Sequence, residues 1–255
     1  MKKLLVAAAA GLTLSMGGIA GAADLARPVY KAPPPPPPVF SWTGCYVGAG
    51  FGYGMFNQEG AAFNPDGTLE AVSRTNGGRG WLGTVQVGCD YQFAGPFGGN
   101  WVIGAFADYD WSNIHGDAHF FQRQLGTEKL RSSWAAGGRI GWVALPQLLV
   151  YLSGGYTRAR FNEIDFVDIG TGLASNAFLD AHTYSGWFIG TGYEYGLGWF
   201  PGLFWKTEYR WSEFRTDRLA LLGTGFAPGF TTDSQKFVQA VRSELVWRFN
   251  WGGGY

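Results

Sequence analysis

Through eight stretches of this chain apolar and polar residues alternate with a period of two, the signature of extended strands that send successive side chains to opposite faces. In 42–56, Val47, Ala49, Phe51 and Tyr53 stand opposite Tyr46, Gly48, Gly50 and Gly52. In 81–93, Val85, Val87, Cys89 and Tyr91 oppose Gln86, Gly88, Asp90 and Gln92. The stretch 101–112 sets Ile103, Ala105, Ala107, Tyr109 and Trp111 against Asp108 and Asp110, with Phe106 on the aspartates' side. In 132–145, Trp134, Ala136, Ile140 and Trp142 oppose Arg139, whereas 148–161 carries Val150, Leu152 and Tyr156 on one face and is apolar on both. In 183–199, Trp187, Ile189, Tyr193 and Tyr195 oppose Glu194, and in 203–214, Trp205, Thr207, Tyr209 and Trp211 oppose Lys206, Glu208 and Arg210. The last strand sets Val241, Leu245, Trp247 and Phe249 against Arg242, Glu244 and Arg248.

The charges thus share a face with the glycines, and the aromatic residues occupy the other. A water-soluble barrel would show the reverse, with polar residues outward and apolar residues toward its cavity. Eleven of the twelve tryptophans fall near strand ends: Trp42, Trp101, Trp142, Trp199, Trp205 and Trp247 at one edge, Trp81, Trp111, Trp134, Trp187 and Trp211 at the other. Between the edges lie roughly 6 to 10 residues, the reach of a tilted strand across a hydrocarbon layer flanked by aromatic girdles. The pattern predicts an all-β protein, an eight-stranded antiparallel up-and-down transmembrane β-barrel. Short turns are expected around Gly95, Pro146 and Pro201, and long loops at 57–79, 113–131, 162–182 and 216–235. Short turns belong on the periplasmic side of such a barrel and long loops outside.

Before the barrel, Lys2 and Lys3 precede an apolar run, and Ala20-Gly21-Ala22 supplies small residues for cleavage, so 1–22 is expected to be a secretory signal peptide. Residues 23–39, with Pro33 to Pro38 unbroken, are expected to form a proline-rich periplasmic linker, leaving 40–255 as the barrel domain. Without Lys2 and Lys3 the chain has 17 basic against 19 acidic residues, and no basic patch suggests nucleic acid. An exported chain with two cysteines admits one disulfide. Cys45 and Cys89 both fall on the outward phase at similar height, which leaves a cross-strand disulfide and a pair of lipid-facing thiols both open.

The inward face carries Arg139, Lys206, Arg210, Arg242 and Arg248 against Asp90, Asp108, Asp110, Glu194, Glu208 and Glu244. An eight-stranded barrel is just wide enough for side chains to fill it, so these groups are expected to form a lumen charge network rather than line an open hole. His115, Asp117 and His119 in one long loop, and Glu163, Asp165 and Asp168 in another, are weak metal candidates, because surface loops are ordinarily polar. No cofactor, catalytic residue or metal site is expected. The stretch Gly77-Gly78-Arg79-Gly80 lacks the following helix a phosphate loop needs.

Several motifs carry a resemblance: Phe40-Ser41-Trp42-Thr43-Gly44-Cys45-Tyr46-Val47-Gly48, Gln86-Val87-Gly88-Cys89-Asp90-Tyr91-Gln92, Asp108-Tyr109-Asp110-Trp111-Ser112, Gly192-Tyr193-Glu194-Tyr195, Lys206-Thr207-Glu208-Tyr209-Arg210-Trp211 and Trp247-Arg248-Phe249. Over about 40–249 the chain resembles the small outer-membrane β-barrels of alphaproteobacteria, the outer-membrane immunogenic or porin-family proteins, which are similar to the OmpA transmembrane barrel. The resemblance implies a lumen network, with Arg139, Glu194, Lys206 and Glu208 at its matching positions. Phe106 stands where the relatives carry a glutamate, a departure that argues against a switchable salt-bridge gate. It also implies a final-strand aromatic read by the barrel-assembly machinery, either Phe249 or, after the tail from Asn250, Tyr255.

The expected function is that of an integral outer-membrane protein with a structural and surface-exposed role, its loops forming the contact or antigenic surface. A monomer in contact with outer-membrane lipid and lipopolysaccharide is expected, with the loop-binding partner unassigned. The alternative is a narrow porin for small ions or solutes. A lipid-modifying enzyme fits less well: similar-sized lipid A deacylases use a histidine followed two residues later by serine, and His182 is followed by Tyr184.

Overall fold

The computed structural model describes residues 41–120, 124–223 and 228–249, and the expected signal peptide and linker lie outside them. Strands β1 (Gly44–Phe63), β2 (Leu69–Ala94), β3 (Asn100–Phe120), β4 (Gln124–Leu145) and β5 (Leu148–Phe161) follow one another as antiparallel neighbours. A hairpin of β6 (Ile164–Asp168) and β7 (Ala174–Leu179) then precedes β8 (His182–Gly196) and β9 (Leu203–Phe214). The short β10 (Asp217–Ala220) and β11 (Leu222–Gly223) lead to β12 (Thr231–Phe249). β5 pairs with β8, β8 with β9, β9 with β12, and β12 returns to β1, so eight of the strands close a ring. Closure leaves the ring without an edge and satisfies the main-chain donors and acceptors internally, the condition for crossing hydrocarbon with strands.

The alternation sorts the side chains as its period requires. Phe51, Val87, Ile103, Ile140, Leu152, Ile189, Val241 and Leu245 are exposed on the outer wall. Every charged residue assigned to the lumen is buried. Between bulky inward residues the wall needs glycine: a Cβ on Gly50 would overlap the Ser243 carbonyl oxygen and lie 2.6 Å from the Glu244 Cα. The outer wall keeps two aromatic belts, with Trp142, Trp199, Trp205 and Trp247 exposed and Trp101 half-buried at the short-turn end and Trp81, Trp111, Trp134 and Trp187 exposed at the other.

Two expectations need correction. Trp42 does not belong to a belt: it is 0% exposed, with its ring 5.0 Å from that of Phe204, because the chain ahead of β1 turns into the barrel mouth. Nor are the long connections mainly loops. β1 and β2 continue until they meet at a short turn, where Asp66 accepts the Thr68 amide at 2.9 Å, and β3 and β4 run on to Phe120 and from Gln124. β6 adds to the start of β4, β7 to β6, β11 to β7 and β10 to the start of β12. The wall therefore rises well past the upper belt. Ala118, Ile164, Phe166, Ala177, Leu179 and Leu221 bury a small apolar cluster within this extension.

Candidate functional site: the charged lumen

Period-two spacing puts Lys206, Glu208 and Arg210 on one face of β9, Asp108 and Asp110 on one face of β3, and Arg242, Glu244 and Arg248 on one face of β12. Closure of the ring turns all of these faces inward, onto Asp90 of β2, Arg139 of β4 and Glu194 of β8. The resulting network has three tiers.

Nearest the short turns, Arg139 donates from Nε to Asp90 at 2.9 Å and from Nη1 to Glu194 at 3.1 Å, and a further bond joins its Nη2 to Asp90. Arg248 bonds the same two carboxylates, each at 2.8 Å, and the Trp42 carbonyl oxygen at 3.2 Å. The Tyr46 ring lies between the two guanidinium groups, 4.7 Å from Arg139 and 4.9 Å from Arg248. In the middle tier the Lys206 ammonium donates to Gln86 at 2.8 Å and to Glu244 at 3.4 Å, and stands 3.5 Å from Glu208. Gln86 also donates to Glu244, and the Tyr151 hydroxyl donates to Glu208 at 2.9 Å. In the third tier Arg210 grips Asp108 through two bonds of 3.0 and 2.7 Å and reaches Glu208 at 2.9 Å. Arg242 donates to Glu208 at 2.6 Å and to Asp110 at 3.3 Å. Phe106, in place of a carboxylate, packs against Phe188 at 6.0 Å, and Lys206 and Arg210 lie 5.9 and 5.6 Å from its ring.

Buried charges are tolerated only when paired and hydrogen-bonded. Each of the five cations here contacts at least two carboxylates. Apolar layers close the network at both ends: Trp42, Val102, Leu149, Phe204 and Val246 below, and Phe56, Ile114, Leu130, Phe161, Tyr184 and Phe214 above. The gap between the third tier and the upper layer is a cavity of about 30 Å³, room for a water or two.

One buried pair escaped the sequence. Above the upper layer Lys236 donates to Glu128 and to Gln58, all three being buried. Both charges fall within or next to segments expected to be loops. The period-two run Thr232, Ser234, Lys236, Val238 is the signal that could have found them.

Cys45 and Cys89 are directly opposite in the β1–β2 register and are bonded to each other. Phe249 ends β12 opposite Cys45 and is exposed. His115, Asp117 and His119 point outward at alternate positions of β3 and are not gathered, and Asp168 accepts the Thr171 amide at 2.9 Å in the β6–β7 turn. Among the described residues no three acidic, histidine or cysteine side chains form a metal-binding group. His182 Nε2 lies 2.9 Å from the Asp217 carboxylate and its ring meets Tyr184 edge-on.

No family model matches the chain. It is 26% identical over 262 residues to the 31 kDa outer-membrane immunogenic protein of Brucella melitensis biotype 1, an alignment covering 98% of this chain and 100% of that protein. The protein of the same name from Brucella suis biovar 1 matches to the same extent. Among solved structures, the outer-membrane protein OprG of Pseudomonas aeruginosa has a TM-score of 0.52 at 9% identity, covering 81% of this chain and 97% of OprG, a likeness of fold. The resemblance carried by the motifs is thereby upheld, and the chain is an outer-membrane β-barrel protein.

Proposed function

We propose that this barrel acts through its extracellular extension, as a surface-exposed contact and antigenic protein, and that its lumen is a structural plug rather than a conduit. The observation that carries the proposal is the three-tier ion-paired network, sealed by an apolar layer on each side. Ions would have to displace paired charges from a water-poor interior, which is strongly unfavourable. The outer extension fits the surface role: its paired strands form a rigid platform that displays turns and short loops, an arrangement suited to binding. The immunogenic character named for the Brucella relatives agrees with it. A non-enzymatic role follows the same logic, since the charged groups of the lumen are engaged with one another and shielded from substrate. Phe249, at the end of the closing strand, is assigned as the aromatic recognised during assembly.

Planar-bilayer recording of the purified, folded protein tests the plug. No steady current is expected. An ohmic conductance that changes with Arg139→Glu or Glu208→Lys would favour a narrow pore instead. Mass spectrometry of lipid A from an overexpressing strain, expected to be unaltered, checks the non-enzymatic assignment.

A further inference from the structure

Almost every described arginine that lies within the barrel is committed to a carboxylate, and Arg218 in the extension is bonded to Asp233 at 2.6 Å. Five exposed arginines are different. Arg79, Arg131, Arg158, Arg160 and Arg215 have no acidic partner among the described residues, and all lie just above the upper aromatic belt. They are not spread evenly round the barrel. On the β12 and β1 side the corresponding outward positions hold Gln239, Gln235, Asn57 and Glu59.

Three of the five converge on the upper end of β8. Arg158 is the cross-strand neighbour of Ser185 on β5, and Arg160 is that of Thr183. On the other flank the Arg215 amide donates to the Ser185 carbonyl oxygen at 3.0 Å, which sets Arg215 beside the same serine. Thr183, Ser185 and Trp187 share the outward phase of β8, so Ser185 lies between two guanidinium groups and one step above a belt tryptophan. Beside it is a depression of about 310 Å³ in the outer wall, lined by Tyr156, Trp187 and Phe214 together with Arg215 and Gln235. Glu213 also borders the depression, and its carboxylate accepts a bond from Gln235 at 3.2 Å.

Arg158 and Arg215 flank β8 from either side, two strand spacings or about 10 Å apart, so that long guanidinium side chains from both can reach one anion above Ser185. At this height the neighbouring molecules are the headgroups of the outer leaflet. We propose that Arg158 and Arg215, supported by Arg160 and Arg131, seat a phosphate of an outer-leaflet phosphoglycolipid over Ser185, with its acyl portion against the adjoining depression. Guanidinium forks suit phosphate oxygens, and the serine and threonine hydroxyls add donors. The proposal deepens the surface assignment and rests on the upper belt lying at the outer-leaflet boundary.

The test uses full-length protein folded into phosphatidylcholine vesicles containing either diphosphoryl lipid A or its dephosphorylated form, with co-purifying lipid measured by native mass spectrometry. Wild type should retain the phosphorylated form selectively. R158Q/R215Q should reduce that retention by about tenfold or more, the loss of two charge-assisted contacts, while R218Q leaves it unchanged. Equal retention of the two lipids by wild type would overturn the proposal whatever the variants do. So would unchanged retention by folded R158Q/R215Q, or full displacement by millimolar inorganic phosphate, which would mark a site for free anions. Heat-modifiable gel mobility and quenching of tryptophan fluorescence by brominated lipid, run alongside, report whether the belt is inserted at all. Insertion without phosphate selectivity would sink the site and leave the membrane placement standing.

Discussion

Arg139 illustrates how single residues hold this lumen together. Its guanidinium serves Asp90 and Glu194 at once, so truncation would leave two buried carboxylates sharing the single guanidinium of Arg248. Arg139→Leu should therefore destabilise the folded barrel by about 3–5 kcal/mol, the usual result of removing one partner from a buried ion pair. Urea titration in detergent micelles, followed by tryptophan fluorescence, would measure it. Arg218→Ala, which breaks an exposed pair, should leave the midpoint unmoved. The Arg218 hydrogen bonds hold the Asp233 carboxyl below its ordinary range. The sign follows: a depressed carboxyl stabilises above its unfolded value and loses that contribution as pH falls through the folded one. Pairing of β10 with β12 should thus persist at neutral pH and loosen only below about pH 4, readable as faster hydrogen exchange at Leu219 and Ala220. Period two was enough to place Arg139, Asp108 and Glu208 inside, because each alternates with an aromatic or aliphatic neighbour. It could not say which carboxylate Arg139 meets, since Asp90 and Glu194 come from strands 49 and 55 residues away and their approach depends on ring closure.

At the scale of strands, alternation was legible only where one face meets lipid. Above the upper belt the outer face carries polar residues such as His115, Asp117 and His119 in place of aromatic ones, so the apolar-out pattern that marks the lower strands is lost. A bulge adds a second loss: the register shift between Leu130 and Ser132 moves the pattern of β4 by a step, so Leu130 points inward out of phase with Ala135 and Arg139 below it, while Ile114 on β3 keeps the phase of Asp108 and Asp110. Those features made the upper halves of β3 and β4 look like loops. The Cys45–Cys89 bond joins β1 and β2 across a separation of 44 residues. In the chain-entropy account such a loop is worth up to about 4 kcal/mol. Replacing both cysteines by serine should lower the unfolding free energy from urea titration by a substantial part of that while leaving the strand content unchanged in circular dichroism. Labelling of free thiols in the unreduced, denatured wild type would contradict the bond itself. At the same end of the barrel, opposite Cys45, Phe249→Asp places a charge on the last residue of the closing strand. Slower folding into vesicles that carry the barrel-assembly machinery, with little change in the final fold, is expected.

For the whole molecule, the defining property is an inverted polarity: apolar residues and tryptophan outside, paired charges inside, and an apolar layer closing each end of the core. The same inversion accounts for the fold, the membrane placement and the proposed absence of conduction. A nitroxide scan along β2, from Leu82 to Tyr91 in the folded, reconstituted protein, examines it directly. Labels at Gly83, Val85, Val87 and Tyr91 should be reached by dissolved oxygen and sheltered from a water-soluble relaxant, while labels at Leu82, Thr84 and Gln86 should be sheltered from both. Ready access of the water-soluble relaxant to Val85 and Val87 would place that face in water and contradict the account.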